Sequence, residues 1–79
     1  MSKPFSSDIE KQLAQLWINV LNCEKVEKKN NFFCSGGDSM LAVTLLNDIF
    51  STFNIKISLE ELLVNSTFGD LAALIFQKL

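Results

Sequence analysis

The chain has 79 residues, 48% of them hydrophobic, which leaves room for a single domain over residues 1–79 built around one core. Nine acidic residues against seven lysines and no arginine give a net charge of −2; without arginine's bidentate fork for phosphates and base edges, nucleic acid is not an expected partner. No apolar run approaches the about 18 residues of a membrane span, and MSKPFSSDIE at the N-terminus lacks a signal peptide's apolar segment, so a cytoplasmic, membrane-free monomer is expected.

The first element in chain order is a helix from about Asp8 to Leu21. Ile9, Leu13, Leu16, Trp17, Val20 and Leu21 recur at helical spacing, and Ser7 with Glu10 forms the capping-box pattern that opens a helix. Residues 22 to 38 have no sustained period and close on Gly36-Gly37, so they read as a long loop, a feature uncommon in small domains and often functional. Phe32 and Phe33 are expected to anchor it by burying large rings against the helices. Lys25, Lys28 and Lys29 alternate with Glu24 and Glu27 and read as a solvated loop rather than a binding patch.

A second helix starts at Ser39, with Ala42, Leu45, Leu46, Ile49, Phe50 and Phe53 on one wide stripe, and ends at Asn54. After Ile55-Lys56-Ile57, which alternates like a strand but has no second alternating run to pair with, Ser58 and Glu61 form another capping box for a short helix to about Val64. Thr67 caps a last helix whose Phe68, Leu71, Ala72, Ile75 and Leu79 share a face. The predicted fold class is all-α: a small bundle of three main helices and one short helix. Asn65-Ser66-Thr67 matches a glycosylation sequon, read as chance in a chain with no secretory signal.

The chemistry concentrates at Ser39. Gly36 and Gly37 permit a tight turn and a close approach, and Asp38 occupies the N-cap position, where its carboxylate can accept from the helix's first free amides. Ser39 then becomes the first helical residue, near the positive end of the helix dipole, a place that favours an attached or bound phosphate by about 0.3 to 1 kcal/mol. Spacing alone leaves two readings open: a phosphate-linked serine, or a loop that simply ends in a helix cap.

An autonomous catalytic role does not fit. The chain has no histidine, the usual base for a serine nucleophile, and the third residue after Ser39 is Ala42 where a Ser-x-x-Lys pair would need lysine. Asp38, as a helix cap, has its lone pairs engaged. Cys34 has no cationic neighbour to favour its thiolate, and Cys23 and Cys34 are too few for a structural zinc site. No catalytic residue and no metal ligand is assigned, and Ser39 can react only if another protein activates it.

The run NNFFCSGGDSM at 30–40 resembles the attachment motif of the phosphopantetheine-binding carrier domains, the peptidyl carriers or thiolation domains, of nonribosomal peptide synthetases. Their pattern is close to Asp/Asn-Phe-Phe-x-x-Gly-Gly-Asp/His-Ser-Leu. SSDIEKQLAQLWINVL at 6–21 is similar to the family's first helix and NSTFGDLAALI at 65–75 to its last, so the likeness covers nearly the whole chain. Ser35 stands where the family usually has an apolar residue, Met40 where it has Leu, Asn30 near a usual Asp, and Ser66 where Pro often precedes the Thr.

The resemblance implies a four-helix carrier fold and a 4′-phosphopantetheine arm, taken from coenzyme A, esterified to Ser39 within the Gly36, Gly37, Asp38 setting. A magnesium-dependent phosphopantetheinyl transferase would supply the base that this chain lacks. The arm's thiol would hold an aminoacyl or peptidyl thioester for adenylation, condensation, epimerisation or thioesterase domains of antibiotic-type peptide assembly. The chain would catalyse nothing itself. Asp38, in place of the alternative His, resembles the residue found in carriers that work with epimerisation domains and in some stand-alone carriers. Met40 and Val43 lie on the face beside the core stripe and are expected to contact partner enzymes, although ordinary edge-of-core burial is an equal reading for Val43. Two other functions are carried alongside: an acyl or aryl carrier of polyketide, fatty-acid or siderophore assembly, and an unmodified helical interaction module.

Overall fold

A computed structural model describes residues 8–79. The described residues form four helices, α1 (Asp8–Leu21), α2 (Ser39–Phe53), α3 (Leu59–Val64) and α4 (Phe68–Lys78). The all-α expectation and the three-plus-one division of helices hold. Ser7, and with it the capping box proposed for α1, lies outside the described residues.

The ends of the helices follow from local chemistry. Past the end of α1, Asn22 takes a left-handed φ of 55°, and Cys23 N–H donates to the Ile18 carbonyl at 3.2 Å. Asn54 closes α2 in the same way, at φ 58°, with its N–H donating to the Phe50 carbonyl at 2.8 Å. Asparagine tolerates this region better than most side chains. The short α3 needs more help, since six residues cannot sustain a helix alone. Ser58 Oγ accepts from Glu61 N–H at 3.1 Å, Glu61 Oε1 accepts from Ser58 N–H at 3.0 Å, and Lys78 Nζ sits 3.0 Å from Glu61 Oε2. The bond from the Ser58 amide and the adjacent Lys78 ammonium hold the Glu61 carboxyl below its ordinary range.

The core is assembled from one stripe of each helix. Leu13, Ala14 and Trp17 of α1 meet Ala42, Leu45 and Ile49 of α2, Leu62 of α3, and Phe68, Leu71, Ala72 and Ile75 of α4. Each fully buried Leu, Ile or Phe contributes about 1.5–3 kcal/mol, so a domain of this size depends on nearly all of them. Trp17 is central: its ring lies edge-on to Phe32 at 5.3 Å and to Phe68 at 5.4 Å between centroids. Two stripe assignments fail at their edges. Phe50 is 50% exposed and Leu79, the C-cap of α4, 64% exposed, because no described element covers those margins. Ile55-Lys56-Ile57 forms no strand and instead drops Ile57 into the core.

The loop from 22 to 38 is tied down along its length. Val26 and Phe32 are buried. The carbonyls of Lys28 and Asn30 accept from the amides of Gly69 and Phe68, each at 2.9 Å. These are amides in the first turn of α4 that no intrahelical carbonyl can reach, so the loop completes the capping that Thr67 Oγ1 begins by accepting from Asp70 N–H at 3.2 Å. Lys28 also pairs with Glu10 at 3.4 Å and Lys29 with Glu27 at 3.9 Å, in line with a solvated rather than ligand-binding set of lysines.

Candidate functional site

The residues singled out around Ser39 form one continuous turn leading into α2. Phe32 enters the core beneath it, and Phe33, half-buried, packs edge-on against Phe32 at 5.4 Å. The Phe32 carbonyl accepts from Gly37 N–H at 3.0 Å and from Ser35 N–H at 3.3 Å, which folds residues 32–37 back over the ring. The two glycines serve different needs. Gly36 has φ 103°, a region closed to residues with a Cβ, and faces open space. Gly37 lies against Phe32, where a Cβ would stand 2.7 Å from the Phe32 carbonyl oxygen and overlap its ring. The close approach read from the Gly pair is therefore internal, to the loop's own anchor.

Asp38 is the N-cap of α2. Its backbone is extended, with φ −136° and ψ −174°, and Oδ1 accepts from Leu41 N–H at 2.9 Å. Its carbonyl begins the helix ladder by accepting from Ala42 N–H at 2.8 Å. Ser39 follows as the first residue of α2 and is exposed. Beside it a shallow depression is lined by Ser39, Met40, Val43 and Thr44. Met40 is 80% exposed and Val43 49% exposed, so burial at the core edge does not account for either. The depression borders an apolar groove between α2 and the 55–59 segment, reached through Val43 and lined further by Leu46, Phe50, Ile57 and Leu59.

Two residues of the site escaped the sequence reading. Asn31 Oδ1 accepts from the amides of Phe33 at 2.9 Å and Cys34 at 3.1 Å, an Asx turn that sets the start of the motif. Its Nδ2 donates to Ser66 Oγ at 2.9 Å, and the Ser66 carbonyl accepts from Phe32 N–H at 2.7 Å. An Asn just before Phe-Phe was a legible turn signal; the partnership with Ser66, 35 positions away, had no local signal. Cys23 and Cys34 are both free thiols, and Cys34 contributes its backbone amide rather than its sulfur.

Ser39 is exposed beside the depression and follows a cap whose carboxylate is already engaged, and the four-helix arrangement around it is that of a small all-α carrier domain. The chain belongs to the phosphopantetheine attachment site family, whose model matches residues 11–75. Among curated proteins it is 39% identical over 67 residues to gramicidin S synthase 2 of Brevibacillus brevis, covering 85% of this chain and 2% of that synthase. The chain thus spans 1–2% of the length of the curated relatives it matches first.

Among solved structures, that of McyG A-PCP complexed with phenylalanyl-adenylate aligns with a TM-score of 0.84 and 34% identity, covering 94% of this chain and 12% of that one. A peptidyl carrier protein in complex with the phosphopantetheine transferase Sfp and coenzyme A aligns with a TM-score of 0.89 over 96% of this chain and 99% of the carrier, and at 22% identity it speaks to the fold. The chain is a phosphopantetheine-binding domain homologous to the peptidyl carrier domains of nonribosomal peptide synthetases. Among the described residues no helix is long and apolar enough to cross a membrane.

Proposed function

We propose that this domain, as a single unit over residues 1–79, carries aminoacyl or peptidyl groups on a 4′-phosphopantetheine arm esterified to Ser39, and that it is a cytoplasmic, non-catalytic monomer. The observation that carries the reading is the exposed Ser39 at the first position of α2, directly after a cap whose carboxylate is already engaged by Leu41 N–H. In the modification, Ser39 Oγ forms a bond to the phosphorus of coenzyme A next to the pantetheine as the bond to the adenosine bisphosphate breaks, and the hydroxyl proton passes to a base of the phosphopantetheinyl transferase. Gly36 and Gly37 keep the loop tight against Phe32, and Asp38 fixes where the helix begins. When bound, the arm supplies the thiol that holds cargo as a thioester; this chain's residues present it.

The proposed partners are the transferase and the adenylation, condensation, epimerisation or thioesterase domains of a peptide synthetase, with Met40 and Val43 in contact with them. The similarity at 34% identity to a carrier solved together with its A domain supports the adenylation partner. Intact mass after incubation with coenzyme A and a broad-specificity transferase tests the assignment, with Ser39→Ala as control. One phosphopantetheine added to the wild type and none to the variant is the expected result. A folded wild type that gains no mass turns the reading to an unmodified interaction module. Loading the product with amino acids or acyl groups and their activating enzymes then separates a peptide carrier from an acyl or aryl carrier.

A further inference from the structure

We infer that Asn31 and Ser66 form a latch that positions Ser39 for modification, an inference that rests on Ser39 being the attachment residue. Every hydrogen-bonding group the Asn31 side chain brings toward the loop is used in setting the turn. Oδ1 takes the amides of Phe33 and Cys34, Nδ2 reaches Ser66 Oγ, and the Asn31 carbonyl accepts from Ser35 N–H at 2.9 Å. From the opposite side, Ser66 contributes both its hydroxyl and its carbonyl, the latter accepting from Phe32 N–H. The two neighbours Asn31 and Phe32 are thereby held by one residue of the α3–α4 junction.

That junction is itself fixed. Asn65 closes α3, with its Nδ2 donating to the Glu61 carbonyl at 3.0 Å, and Thr67 caps α4. The path from Ser66 to Ser39 is short: Asn31 sets the turn, Phe32 and Gly37 are bonded across it, and Asp38 and Ser39 follow directly. The far end of the same turn is held by Gly37 N–H on the Phe32 carbonyl and by α2's own cap, and the latch adds the side-chain bond that ties its start to the α3–α4 junction. Asn31 and Ser66 act in the proposed reaction as positioning residues, through the turn that leads to Ser39.

The test is steady-state phosphopantetheine transfer to the purified chain, with Ser66→Ala, Asn31→Ala, Asn31→Asp and the Asn31→Asp/Ser66→Ala double variant. Ser66→Ala removes only the hydroxyl and keeps the carbonyl on Phe32 N–H, so it is the variant best placed to fold. It is expected to lower kcat about threefold to tenfold, the kinetic equivalent of one neutral hydrogen bond, with KM within about twofold because the exposed face of α2 is untouched. Asn31→Asp keeps the Asx acceptor and can accept from the Ser66 hydroxyl in place of donating to it, so it recovers most of kcat; adding Ser66→Ala to it removes the recovery. Amide exchange at Phe33 and Cys34 in the folded variants should quicken in the same order as kcat falls. Wild-type kcat in Ser66→Ala and Asn31→Ala, with only a lower melting temperature, overturns the latch while leaving the attachment reading intact. A wild type that gains no phosphopantetheine, or a Ser39→Ala variant that does, overturns the attachment reading and the latch's role with it.

Discussion

Gly37 sits so close over Phe32 that a Cβ at this position would lie 2.7 Å from the Phe32 carbonyl oxygen, while its own N–H donates to that same oxygen at 3.0 Å. The turn before Ser39 is thus packed onto the ring that anchors it, and that ring is packed edge-on against Trp17 of α1. Seating of the serine and integrity of the core are one structural problem.

Gly37→Ala is expected to destabilise the domain by about 1–3 kcal/mol, the usual range for forcing an extra carbon into a packed site. The carbonyl on one side is backbone and cannot swing away, unlike the end of a long side chain. Urea denaturation followed by Trp17 fluorescence reads the change. A variant as stable as wild type would mean that the turn is not packed on Phe32.

Asp38→Ala should cost about 1 kcal/mol through loss of the N-cap bond to Leu41 N–H, whereas Asp38→Asn, which keeps a side-chain acceptor, should stay within a few tenths of wild type. Denaturant midpoints of the two variants discriminate the causes. Equal losses in both would assign the effect to charge at the helix N-terminus instead of the hydrogen bond.

Glu61 couples stability to pH. Its folded-state carboxyl is held low, first by the Ser58 amide and then by Lys78, so its contribution is present above the ordinary value of 4.5 and is lost as pH falls through the lower folded value. The melting temperature of wild type should exceed that of Glu61→Gln near neutral pH, and the gap should close as the solution is acidified well below 4.5. A gap that stays constant through that acid range would show that the charge on Glu61 plays no part. Added salt should narrow the neutral-pH gap as well, since Lys78 and Glu61 are both partly exposed.

Met40→Glu/Val43→Glu is expected to fold normally, because substitutions at exposed positions usually change stability by less than about 0.5 kcal/mol. Phosphopantetheine transfer and aminoacyl loading should each fall in kcat/KM by about tenfold or more if these side chains lie under a partner, as truncated interface anchors do. Circular dichroism checks the fold and mass spectrometry the transfer. Unchanged rates in a folded double variant remove Met40 and Val43 from the partner face.

Much of the architecture was legible because it is written locally. Helical spacing of apolar residues located α1, α2 and α4, Ser58 with Glu61 announced α3, and Asp38 and Thr67 marked the starts of α2 and α4; each signal acts within about four residues, the reach of a helical turn. The same local logic put Ser39 at a helix start and, with no histidine in the chain, gave no ground to expect an independent nucleophile.

What the tertiary structure alone decided are the relations between distant segments. Which edge of a stripe is covered depends on what packs there, so Phe50 and Leu79 remain exposed although they share the period of buried neighbours. The pairing of Asn31 with Ser66, the use of loop carbonyls to cap α4 and the fit of Gly37 over Phe32 require chain segments to be brought together by burial of the core. The sequence by itself determined the helices and the serine that begins α2, since those rest on short-range hydrogen bonding and periodicity. How that serine is held was decided only when hydrophobic burial fixed α1, the loop and the α3–α4 junction against one another.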